Sequence, residues 1–227
     1  MNCLVTLFPR REDPGLHGQL VTSCRQAAET VADWFAFAVD ELEVEVYTSR
    51  ELWIEQHTRL NEDELASWVA GDCGRIIRVV ASGSDHHLLQ MVGHECVHHI
   101  IRVHAGSIPA WLDEGLAMYL LLGMPKRYAQ TLKKAVAHGA FIPFDLLEKP
   151  FSLLDRRLKD LAYAQGCAMV RHLEISYGRS RLRSLLTALG RGDNLAQALR
   201  PLGLNMYLLE KELVRHLQQE HCGKAKT

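Results

Sequence analysis

The chain has 227 residues, 48% of them apolar and 23% charged, which is enough to bury one good core or two small lobes. A net charge of −1 and a pI near 6.9 leave no global attraction to nucleic acid or to an anionic membrane. The longest apolar stretches, Trp34 to Val39 and Leu116 to Met124, are well short of the roughly 18 to 20 residues that cross a bilayer.

After a short apolar segment from Leu4 to Phe8, apolar residues recur at helical spacing from Gly18 to Val39: Leu20, Cys24, Ala27, Val31, Trp34, Phe35 and Ala38. This predicts a first helix of about six turns. Leu42 to Tyr47 alternates apolar with acidic residues, the pattern of a half-buried strand, and the charged run from Arg50 to Leu65 reads as helical. Two β-rich runs between Ala66 and Ser82 flank Gly71-Asp72-Cys73-Gly74, which predicts a hairpin turning on those four residues. Ser84 or Asp85 is a good N-cap for a helix to about His104, and Pro109 opens another from Ala110 to Leu122. Beyond Met124 the chain reads as helices punctuated by glycine and proline, the last from about Asn205 to Cys222. The expectation is an α+β protein: residues 1–106 as a small mixed sheet with helices, 107–227 as an all-helical subdomain.

The helix after Ser84 contains His94-Glu95-Cys96-Val97-His98. Residues four apart on a helix lie about 40° from each other around its axis, so both imidazoles can reach one metal ion. Glu95 is turned about 100° from His94, within reach of a water at the metal as a general base but not placed as a ligand. A catalytic zinc needs a third protein ligand and one open position. Glu114, in Trp111-Leu112-Asp113-Glu114-Gly115-Leu116-Ala117, is the natural third ligand, and Gly115 beside it permits close helix packing.

HExxH followed by a Trp-Leu-x-Glu-Gly-x-Ala helix resembles the gluzincin clan of zinc metallopeptidases, and the small size resembles its compact peptidase MA-like members, including the minigluzincins. The likeness is sharp over residues 88–119 and fair over 163–178. It implies a zincin-like fold, Zn2+ as cofactor, and a peptide or protein substrate. Tyr163-Ala164-Gln165-Gly166 is similar to the Tyr-x-Lys-Gly segment of gluzincin aminopeptidases, which implies that Tyr163 donates to the oxyanion, with Gln165 in place of the lysine. Met118 stands four residues after Glu114, where thermolysin-like relatives carry an aspartate, and the Gly-x-Met-Glu-Asn segment that reads a free amino terminus is absent. Endopeptidase action is therefore expected, with Ser67 to Gly71 as the sheet edge that takes substrate as an added strand.

The alternatives are a zinc-binding regulatory or latent module without hydrolysis, and a nucleic-acid protein using Arg171, Arg179, Arg181 and Arg183. An intact Glu95 argues against the first, and the scarcity of aromatic or groove-reading elements among the arginines against the second. Charge is uneven: residues 1–122 carry 18 acidic and 8 basic side chains, residues 123–200 carry 6 and 14, which reads as solvated faces of opposite sign. The tail holds potential ligands, His216, His221 and Cys222, and the minigluzincin resemblance implies a latent form in which it covers the zinc; the plainer reading is an amphipathic docking helix. Six cysteines without a CxxC pair, and a short apolar start that lacks a basic leader, predict a soluble cytoplasmic protein.

Overall fold

A computed structural model describes residues 2–8, 14–37, 39, 41–56, 71–73, 76–80 and 84–223. The protein divides into two compact units, residues 1–101 and 102–227, with the division inside one continuous helix.

The first unit is built on a four-stranded sheet in the order β1-β2-β4-β3, with β1 at Asn2–Phe8, β2 at Glu41–Tyr47, β3 at Gly71–Cys73 and β4 at Ile77–Val80. β1, β2 and β4 run parallel, Val5 opposite Val44 and Val46 opposite Val79, whereas β3 pairs antiparallel with β4 at the edge. Parallel neighbours need a long crossover, which α1 (Pro14–Phe35) supplies between β1 and β2. Its buried stripe, Leu20, Cys24, Ala27, Ala28, Val31 and Phe35, is matched by Leu42, Val44 and Val46 of β2 and by Ile77 and Val79 of β4. On β2 the intervening Glu41 and Glu43 are exposed, so the alternation of that segment becomes a half-buried strand.

Two details depart from the sequence reading. α1 starts four residues early and stops at Phe35, where Ala36 takes a φ of +56° and its N–H bonds Ala32 O at 2.7 Å; Phe37 lies past the helix, stacked on Phe35. Gly71-Asp72-Cys73 is strand, not turn: it pairs antiparallel with β4, Asp72 opposite Arg78. The helix expected to Leu65 is described as α2, Arg50–Gln56. Residues 57–70, including most of the expected substrate edge, lie outside the described residues.

α3 (Asp85–Ala105) begins at Ser84, whose carbonyl accepts from Leu88 N at 3.0 Å. Its last turn enters the second unit and ends at Gly106, φ +68°. That unit is helical: α4 (Ala110–Ala117) continuing as a π-helical turn to Leu122, α5 (Lys126–His138), α6 (Phe144–Leu147), α7 (Arg156–Tyr177), α8 (Arg179–Gly190), α9 (Leu195–Leu199) and α10 (Met206–Gly223). α7 is the central element. It buries Leu161, Ala162, Ala164 to Val170, His172 and Leu173, nearly its whole circumference, as expected of a helix with neighbours on all sides. No described helix is long and apolar enough to cross a membrane.

Candidate metal centre

His94 and His98 face the same side of α3, Nε2 to Nε2 at 3.0 Å, with ring planes at 85°. His98 is buried, whereas His94 and Glu95 are half-buried. Two imidazole nitrogens this close can share a single proton or cation. Donor atoms of His94, His98 and the half-buried Glu114 all lie within 4.8 Å of one another, so these three residues could hold a metal ion. Two imidazoles and one carboxylate form a donor set suited to zinc with one position left open. Cys96, on the same turn, is fully buried and serves the core.

Glu114 is placed by the packing of α4. Pro109 caps the helix with its carbonyl, accepting from Leu112 N at 2.9 Å and Asp113 N at 3.1 Å, and Trp111, Leu112, Leu116 and Ala117 are fully buried. Gly115 lies directly against Gly166 of α7: a Cβ on Gly115 would sit 2.4 Å from Gly166 O, and one on Gly166 would sit 2.8 Å from Trp111 O. The close approach expected of Gly115 thus has a specific partner, a second glycine 51 positions away.

Tyr163 is one turn before Gly166 and half-buried. Its ring stacks on Tyr128 (centroids 5.9 Å, planes at 19°) and meets Phe151 edge-on at 5.2 Å. Sequence reasoning gave Tyr128 no role. Burial, the Asp160 carboxylate and then Glu114 push its phenol up, while Arg127 opposes, so Tyr128 feels the charge of the candidate ligand. Arg127 itself pairs with Asp160, Nε to Oδ2 at 2.6 Å, and lies 5.8 Å over the Tyr128 ring. Nothing in the sequence around a lone tyrosine in a charged helix signals this placement.

The structure gives Gln165 a role that a lysine could not fill. Fully buried, it accepts from Ile142 N at 2.8 Å and donates to Ile142 O at 3.1 Å, so it needs an acceptor as well as a donor. Met118 is buried, and Tyr119 in the π-helical turn donates to Glu174. Of the flanking histidines, His86 and His87 are exposed, and His99 and His104 are half-buried. His216 of α10 packs its ring beside His172 of α7, and the side chains of His221 and Cys222 lie outside the described residues.

The segment carrying these residues has relatives. A model of the peptidase MA superfamily matches residues 74–218, well over half of the chain, including His94, Glu95, His98, Glu114 and Tyr163. The chain belongs to the peptidase MA superfamily. No curated protein matches it. Membership points to a peptidase, which would act on peptide or protein substrates, in a superfamily that is commonly metal-dependent. The match begins near the start of β4, so β1, α1 and β2 fall outside it.

Proposed function

We propose that this member of the peptidase MA superfamily is a zinc-dependent endopeptidase of the gluzincin type with a zincin-like α+β fold, and that His94, His98 and Glu114 hold the ion. The observation that carries the reading is the convergence of two Nε2 atoms 3.0 Å apart with the Glu114 carboxylate. When bound, zinc supplies Lewis acidity to the scissile carbonyl and to water. Glu95, next to His94 and off the ligand face, takes the proton of the attacking water and returns it to the leaving amine. Tyr163, its ring fixed between Tyr128 and Phe151, donates its phenolic hydrogen to the tetrahedral oxyanion. β3, one of the two described edges of the sheet, offers backbone groups for an extended peptide, which favours cleavage with little sequence preference. The scattered cysteines, without a CxxC pair, fit a cytoplasmic location.

The deciding experiment measures bound zinc and cleavage of a peptide library for wild type and Glu95→Gln. Zinc retained with cleavage lost is expected, and equal cleavage by both proteins removes Glu95 as the base. A wild type that binds zinc and cleaves nothing establishes instead the latent or regulatory module.

A further inference from the structure

A second group of metal-ligating side chains lies within the helical unit, on α7 and α10. His172 of α7 is 5% exposed. Its Nδ1 is 3.3 Å from Ser176 Oγ, and its Nε2 is buried without a hydrogen bond. That nitrogen faces Glu212 Oε2 of α10 at 3.6 Å, too long for a hydrogen bond. His216, four residues after Glu212 and so on the same face of α10, places its ring 5.2 Å from the His172 ring at 47°. Glu212 is held from the other side by Tyr177, whose hydroxyl donates to Oε2 at 2.7 Å.

As a neutral imidazole, His172 leaves a polar contact here that a shared cation would complete. With Nδ1–H given to Ser176, Nε2 presents a lone pair to a carboxylate; with the proton on Nε2, it points at an acceptor beyond bonding range. A tetrahedral zinc with Zn–N bonds of about 2.0–2.1 Å sets neighbouring donor atoms about 3.3–3.4 Å apart and imidazole centres about 5 Å apart. The observed 3.6 Å and 5.2 Å are close to both. Ser176 and Tyr177 also stand where the outer partners of a metal-bound histidine and carboxylate belong. The group is looser than the first: among the described residues, only His94, His98 and Glu114 bring all donor atoms within 4.8 Å.

We propose that His172, Glu212 and His216 form a second divalent-cation site, taking zinc, that fastens α10 to α7 and leaves the fourth position to water. It is independent of the peptidase centre, since none of its residues belongs to that centre. The test is zinc stoichiometry by equilibrium dialysis and elemental analysis on the full chain. A His94→Ala/His98→Ala variant is expected to keep one zinc per chain and to melt at higher temperature when zinc is added. Adding His216→Gln to that variant, with helicity checked by circular dichroism, is expected to abolish both; Glu212→Gln provides a second variant on the opposite donor. No zinc on the His94→Ala/His98→Ala protein, or zinc unchanged by both His216→Gln and Glu212→Gln, overturns the site. A wild type with one zinc that survives His94→Ala/His98→Ala would instead refute the first centre and support this one.

Discussion

Replacing Gly115 by alanine tests how the Glu114 carboxylate is positioned. The new Cβ would lie 2.4 Å from Gly166 O, 2.7 Å from Gly166 C and 2.9 Å from Val170 Cγ2. These distances are about 1 Å short of ordinary contact. Two of the three are to backbone inside α7, which cannot rotate away, so α4 and α7 must separate. Overpacking of this kind costs about 3 kcal/mol, the upper end of its usual range, and alanine's better helix propensity returns about 1 kcal/mol. The net loss of about 2 kcal/mol should lower the melting temperature by about 4–8 °C in a chain of this size. Because Glu114 immediately precedes the glycine, zinc affinity should fall with stability. Urea denaturation and zinc titration of Gly115→Ala read both quantities. Gly18→Ala is the control: it sits in α1 with nothing within 4 Å of a Cβ and should stabilise by up to about 1 kcal/mol. A Gly115→Ala protein as stable as wild type would refute the packing argument.

Gln165→Leu should destabilise by about 2–4 kcal/mol in chemical denaturation, because it leaves both the N–H and the carbonyl of buried Ile142 without their partner; a loss under half of that would mean other groups satisfy them. Tyr128→Ala removes the stack that fixes Tyr163 and should lower kcat roughly tenfold with little change in KM, whereas Tyr128→Phe keeps the stack and should stay close to wild type. Equal losses in both variants would point to the hydroxyl instead. Stability should also fall in alkali. Burial first, and then the glutamates they donate to, push the phenols of Tyr47 and Tyr119 up to about 12, with Tyr47 bonded to Glu45 at 2.9 Å and Tyr119 to Glu174. The folded protein keeps these protons where the unfolded chain, titrating near about pH 10, has lost them. Their contribution is therefore complete below pH 10 and lost as pH rises toward 12. Urea unfolding at pH 9 and 11, with phenolate absorbance, checks this; full ionisation of native tyrosine near pH 10 would contradict it.

What could be read from the sequence is what rests on neighbours along the chain. The face shared by His94 and His98, the offset of Glu95 and the alternation of β2 follow from helix and strand periods and needed no tertiary information. Glu114 was legible because it sits only 16 residues past His98, on the next helix of a four-residue connection. The position of the hairpin was misread because turn-forming residues compete with pairing register, and the ladder between β3 and β4 decided in favour of strand. The sheet order, Gly166 as the partner of Gly115, the Tyr128 ring on Tyr163, the clamp of Gln165 on Ile142 and the meeting of His172 with Glu212 and His216 were decided only by the fold. Apart from the β3–β4 neighbours in the sheet, each joins residues more than 20 positions apart, and such contacts are fixed by which surfaces pack, a property no local period encodes.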